Sequence, residues 1–226
     1  GLTVASALAA AEPTAAEAIR TCSAVSPAHQ TALVELYTSQ GCSSCPPADR
    51  WLTQLDARYA RDRVVPIALH VTYWDYLGWK DPFARAVFVE RQKSVRDRLR
   101  LRSLYTPQVV LAGADYPQWH RARIDADIKA AQQQPARATI RLALTRPGTG
   151  AAKREFNAEA TVPAAPDRRD AALYVAVTQS GLRSEVKAGE NRGERLAHDH
   201  VVRALADLGP VGAAGEPRHR VFAIGR

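Results

Sequence analysis

Apolar positions along this chain switch between two periods. Residues 32–39, ALVELYTS, are apolar, β-branched and aromatic and end in polar turn residues, which predicts a short strand. In the following PPADRWLTQLDARYA the apolar positions Trp51, Leu52, Leu55 and Tyr59 fall at helical spacing, and proline is tolerated in a first helical turn. RVVPIALHV then predicts a second strand over residues 64–71. A strand–helix–strand crossover makes its two strands parallel and usually adjacent. Both then end on one edge of the sheet, where ligand sites tend to lie. The loop after the first strand and the segment HVTYWDYLGWKDPF after the second are therefore expected to meet.

Asp81-Pro82 predicts a helix start, a capping Asp followed by a Pro at the first helical position. That helix is expected to reach about residue 101, with Phe83, Val87, Phe88, Val95 and Leu99 on its apolar face. A strand at Gln108–Leu111 follows directly on Thr106-Pro107, and ADYPQWH reads as a turn with a short edge strand. RARIDADIKAAQQQ reads as a helix with Ile124 and Ile128 facing inward. After Pro135 the character changes. RATIRLALT, REFNAEATV, AALYVAVTQ, LRSEVKA and HDHVVRALA are short β-like runs separated by Pro, Gly and Asp, the pattern of an antiparallel sheet or small sandwich. The expected fold is thus α/β: an α/β domain over residues 30–136 and a smaller antiparallel β domain over 137–226.

Composition narrows the partners. The chain has 226 residues, 46% hydrophobic and 24% charged, enough for a core that needs no cross-links. The net charge of +8 comes mostly from arginine, densest in RQKSVRDRLRLR at 91–102. That patch reads as a solvated helix face, and with no nucleic-acid-binding motif beside it no nucleic-acid partner is expected. Residues 1–18, GLTVASALAAAEPTAAEA, look like the tail of a secretory signal peptide, with Ala7-Leu8-Ala9 or Ala16-Glu17-Ala18 as cleavage points. No other apolar run approaches the roughly 20 residues that span a membrane. The expectation is a periplasmic or secreted protein, in a compartment where disulfides persist.

The chemistry concentrates at Cys42 and Cys45, a C-x-x-C pair between a predicted strand and a predicted helix; Cys22 is left over. A redox pair needs a thiolate attacker and a second thiol to resolve the mixed disulfide. A metal site would use the same thiolates for Cu(I) or Zn(II), completed by His70, His198 or His200. His198 and His200, spaced for one face of a strand, form a candidate ligand pair, although a second C-x-x-C is lacking. A permanent structural disulfide is the third possibility, weakened because so short a loop gains little chain entropy. Tyr73, Trp74 and Trp79 line a substrate groove or pack beneath the inserted helix. Asp75 is a proton acceptor near Cys45 or a turn residue. GENRG at 189–193 reads as a turn or a partner-binding loop.

The order strand, C-x-x-C, helix, strand, inserted helix, Thr-Pro, strand, helix resembles the thioredoxin superfamily. On that resemblance Cys42 is the attacking cysteine, Cys45 the resolving one, and Pro107, after Thr106, the cis-proline beside them. VELYTSQGCSSCPPADRWL, YWDYLGWKDPFA and the blocks GENRG and HDHVVRAL further resemble a family of secreted bacterial proteins catalogued as a domain of unknown function with a thioredoxin-like fold. The likeness spans residues 30–208; the last residues fit it less well, and the chain is expected to lack the final strand of the pattern. That family brings no established substrate; the thioredoxin likeness at Cys42, Cys45 and Thr106-Pro107 implies a thiol–disulfide oxidoreductase acting on protein thiols or disulfides without a cofactor. The alternative is a non-catalytic binding protein that holds Cu(I) or Zn(II) at Cys42 and Cys45. Ser43-Ser44 brings no charged His, and a helix starting at Pro46 or Pro47 leaves Cys42 beyond its first turn, so moderate reactivity is expected.

Overall fold

This computed structural model describes residues 20–121, 124–146, 154–162, 171–211 and 217–224; the leader read at 1–18 lies outside them. In chain order the elements are β1 (Arg20–Val25), β2 (Ala32–Thr38), α1 (Pro46–Arg58), β3 (Val64–His70), a 3-10 turn (Thr72–Leu77), α2 (Ala86–Leu99), β4 (Gln108–Leu111), β5 (Ala114–Asp115), α3 (Ile124–Gln132), β6 (Arg141–Arg146), β7 (Arg154–Thr161), β8 (Ala172–Gln179), β9 (Leu182–Glu185), β10 (Arg195–His198), β11 (Val201–Pro210) and β12 (Arg218–Ile224). The architecture is mixed α/β, as the hydrophobic periods predict.

A six-stranded sheet runs β5-β4-β2-β3-β11-β8. β2 and β3 pair in parallel from Ala32↔Val64 to Thr38↔His70, the crossover being α1. β4 lies antiparallel on the other side of β2. The sheet is covered on both faces, which is why β2 reads as a nearly continuous apolar run. Val34 and Leu36 pack with Leu52 and Leu55 of α1 and Ile124 and Ile128 of α3. Tyr37, Leu69 and Val110 pack on the opposite face with Phe88 and Val95 of α2. A second sheet, β1-β6-β7-β12, is antiparallel throughout, and β9 and β10 form a separate two-stranded ribbon. A third core, including Ala158, Val175, Ala206 and Phe222, draws on strands of both larger sheets.

The change of character after Pro135 does not separate the sheets. β11 pairs in parallel with β3 at Val201↔Ala68, and β8 pairs antiparallel with β11, so the later chain extends the earlier sheet. β1, in turn, joins the sheet of the later strands through β6. The last residues, which fit the resemblance less well, form a strand, β12, paired with β7 from Arg218↔Ala160 to Ile224↔Arg154.

The inserted helix starts later than predicted. Asp81 is 3% exposed, and its carboxylate pairs with His70 instead of capping a helix. Arg85, in an extended conformation, precedes the first helical residue, Ala86. The buried face of α2 is Phe88, Gln92 and Val95, at i, i+4 and i+7, while Val87 faces solvent. Gln92 holds the core position with its amide nitrogen satisfied there, donating to the Tyr105 carbonyl and to Gln108 Oε1, both at 2.9 Å.

Candidate functional site

Thr38 and His70 end β2 and β3 side by side, with the Val71 N–H donating to the Thr38 carbonyl at 2.9 Å. The chain leaves β2 through Ser39, Gln40 and Gly41. A Cβ on Gly41 would lie 3.1 Å from Trp74 Cβ and 3.3 Å from the Trp74 carbonyl oxygen, so glycine lets the aromatic segment rest on this loop. The Cys45 N–H donates to the Cys42 carbonyl at 3.2 Å, and the Cys45 carbonyl accepts the Ala48 and Asp49 N–H groups. Helix α1 starts at Pro46, as expected, but Cys45 is itself in the right-handed helical region (φ −78°, ψ −39°). The bonds from Ala48 and Asp49 hold it there against the usual push of a following proline.

Cys42 and Cys45 form a disulfide with their Cα atoms 5.5 Å apart. Thr106 Oγ1 donates to Cys42 Sγ at 3.3 Å and accepts the Trp74 indole N–H at 2.7 Å. Ser44 Oγ lies 3.3 Å from the same sulfur. The Thr106–Pro107 peptide bond is cis. The structure thus gathers Cys42, Cys45, Thr106, Pro107 and Trp74 in one place. Both cysteines are buried, at 1% and 0% exposure. Cys22 is a free, exposed thiol on β1.

Beneath the disulfide lies a buried polar network. Asp81 Oδ2 accepts the His70 Nδ1 proton at 2.7 Å and the Gln40 N–H at 2.9 Å, while Oδ1 accepts the Phe83 N–H at 2.9 Å. Gln40 Oε1 accepts the Trp79 indole N–H at 2.9 Å; Gln40 Nε2 donates to Ser184 Oγ at 2.8 Å and to His198 Nε2 at 3.1 Å. That assigns the His198 proton to Nδ1, which faces Asp49 Oδ2 at 3.7 Å. Trp79 is therefore a structural donor. Tyr73 and Trp74 pack against the α2-side core. Asp75, read as a proton acceptor for Cys45, has its Oδ1 on the Asp81 N–H at 3.3 Å, a turn contact. His198 and His200 do not share a strand face: His198 ends β10, while His200 has φ +57° in the connection to β11 and pairs with Asp56.

Sequence reading missed three contributors. Asp49 is buried one helical turn beyond Cys45. Asn191 Nδ2 donates to the Gln40 and Cys42 carbonyls, each at 2.9 Å. Glu190 Oε2 accepts the Ser43 N–H at 2.8 Å, which holds the Glu190 carboxyl below the usual carboxylate range. The GENRG block carried the signal for the last two, as a turn rich in polar side chains.

Burial sets the electrostatics. It pushes the Asp49 carboxyl from 3.8 up to about 6. It pushes His198 down from 6.5 to about 3, with the nearby His70 adding to the effect. Burial opposes charge on His70 and Asp81 too, but each partner outweighs it, holding His70 above and Asp81 below its ordinary value. Asp49 thus binds its proton more tightly folded than unfolded, so its contribution to stability falls as pH rises from about 4 to 6. Asp49→Asn removes that dependence. We expect the stability of the variant relative to wild type to rise across this window by at most about 3 kcal/mol, at about 1.4 kcal/mol per pH unit. Urea unfolding of both proteins at pH 4 and pH 7 measures it, and a difference that does not change with pH would contradict it.

Among the described residues no three His, Cys, Asp or Glu side chains are grouped to hold a metal ion, so a Cu(I) or Zn(II) at Cys42 and Cys45 finds no third such ligand there. No helix among them is long and apolar enough to cross a membrane.

No protein of curated function matches the chain. Among solved structures it is similar to a crystal structure of a protein from Agrobacterium tumefaciens, with 29% identity, coverage of 87% of this chain and 80% of that one, and a TM-score of 0.57. Residues 33–222, which include the cysteine loop, the polar network and the Gly189–Gly193 turn, match the family described as Protein of unknown function (DUF1223), and the chain belongs to that family.

Proposed function

We propose that this protein is an exported thiol–disulfide oxidoreductase working through Cys42 and Cys45 on a thioredoxin-like core. The observation that carries this reading is a disulfide between the end of a parallel strand and the first turn of a helix, with Thr106 Oγ1 bonded to Cys42 Sγ. The run β3-β2-β4-β5, one parallel pair followed by two antiparallel strands, supports the thioredoxin-like part. The Ala-rich residues 1–18, which look like the tail of a secretory signal peptide, support export.

In the reducing direction the Cys42 thiolate attacks one sulfur of a substrate disulfide, and the other leaves as a thiolate and takes up a proton. Cys45, deprotonated, then attacks Cys42 Sγ; the mixed disulfide breaks and the second substrate sulfur leaves. Two electrons pass to the substrate, and an external dithiol restores the pair. In reverse, a substrate dithiol is oxidised and an external disulfide restores the pair. The Thr106 hydroxyl, donating to Cys42 Sγ, favours thiolate at Cys42.

A second reading, a permanent structural disulfide, has the burial of both cysteines in its favour. Against it, a bond between residues three apart constrains the unfolded chain little. An exchange assay tests the proposal. Wild type is expected to accelerate reduction of a model protein disulfide by dithiothreitol, and Cys42→Ser to fall to the uncatalysed rate. A wild-type rate no higher than that of Cys42→Ser would overturn it.

A further inference from the structure

Both cysteines are buried, yet exchange needs an in-line approach to a sulfur. The Gly189–Gly193 turn is where that conflict resolves. It sits at the tip of the β9–β10 ribbon, a two-stranded sheet apart from both larger ones. It is knitted within itself: the Arg192 N–H donates to the Gly189 carbonyl, the Glu194 N–H to the Asn191 carbonyl, and the Gly193 N–H to the Val186 carbonyl. Its described polar bonds to the cysteine loop come from two side chains. Asn191 clamps the carbonyls on either side of Gly41, and Glu190 holds the Ser43 N–H. Gly189 has a φ of +77°, which suits glycine, and lies against Gly41, Leu77 and Trp79, where a Cβ would make ordinary contact at 3.6–3.7 Å.

Elsewhere the ribbon is held at its base by buried Val186 and by His198, whose ring packs against His70 and Phe83, while the turn itself stands beyond these anchors. Ser184 Oγ accepts from Gln40 Nε2, and Leu196 and His198 are its buried side chains in β10. The base of the turn borders a polar cleft of about 360 Å³ lined by Glu185, Lys187, Arg192 and Arg195, so packed core does not back it on that side. A compact turn, glycines with positive φ at both its ends and a small set of releasable bonds form a body that can lift as a unit.

We propose that the Gly189–Gly193 turn is a gate over the disulfide: Asn191 and Glu190 hold residues 40–43 in the closed arrangement that buries Cys42, and the turn must lift before an incoming thiolate reaches the sulfur. The gate rests on the redox reading of Cys42 and Cys45 and sets its specificity. Thiols whose surroundings can displace the turn react; thiols on rigid surfaces that cannot do so are excluded. Asn191 and Glu190 act through the loop and are positioning residues.

The test is the rate at which dithiothreitol reduces the Cys42–Cys45 disulfide in the oxidised, folded protein, followed by thiol counting. Asn191→Ala and Glu190→Ala are each expected to raise that rate, Asn191→Ala by about tenfold because two buried bonds are lost. Circular dichroism checks the fold; if Asn191→Ala is unfolded, the exposed Glu190→Ala decides alone. Rates equal to wild type in the folded variants would overturn the gate. The assay needs only that a small thiol reach the sulfur, so the gate can fail while Cys42-dependent exchange stands, and exchange can fail while the gate stands.

Discussion

Asp81→Ala is expected to destabilise the protein by about 3–5 kcal/mol, the usual result of removing one partner from a buried ion pair. Asp81 and His70 have fully buried side chains, and one carboxylate serves three donors: the His70 ring, the Gln40 N–H and the Phe83 N–H. Alanine leaves the His70 ring proton without its acceptor, and leaves two backbone N–H groups orphaned in a site closed to water. The Gln40 bond ties the ion pair to the cysteine loop, so the loss is expected at the site as well as in the core. Asp81→Asn, which keeps an acceptor oxygen but not the charge, is expected to cost less than alanine. Urea unfolding at neutral pH measures both, and a loss below about 1 kcal/mol for alanine would mean that the network contributes little.

Cys45→Ser is expected to accumulate a stable mixed disulfide between Cys42 and a substrate. Exchange at a single thiol stops after the first attack because no second sulfur remains to release the partner. With Cys45 in place, its Cα at the N-cap of α1 lies 5.5 Å from that of Cys42, so resolution is intramolecular and the mixed species is short-lived. Incubating reduced Cys45→Ser with a disulfide-containing peptide and weighing the products checks this. The adduct should map to Cys42. A predominant adduct at the exposed Cys22 would count against the assigned roles.

The cysteine site was legible where its parts are local in sequence. The strand into Ser39, the C-x-x-C, the helix from Pro46 and the Thr106-Pro107 step each carry a short-range signal, and the structure brings them together. What was not legible arrives from far along the chain. Asn191 and Glu190 reach the loop only because β11 inserts beside β3 and carries the preceding ribbon over it, a pairing that no local pattern announces. The same insertion explains why the change in strand character after Pro135 marks no division between the sheets. Asp81 was misread because Asp-Pro is a strong helix-start signal, and nothing in the sequence reveals that the His70 ring awaits that carboxylate. His198 and His200 look paired by spacing, but the chain turns between them. In α2 a buried Gln92 was passed over in favour of Val87, because polarity hid a core position where two hydrogen bonds hold the amide nitrogen.

The equilibrium reduction potential of the Cys42–Cys45 pair, titrated against glutathione or dithiothreitol with mass-spectrometric thiol counting, bears most directly on whether this disulfide cycles. A value between roughly −120 and −270 mV, the span of disulfide oxidoreductases, is expected, and its position within that span indicates oxidant or reductant. A value below about −300 mV, where structural disulfides lie, would contradict a cycling pair and make Cys42–Cys45 a permanent cross-link.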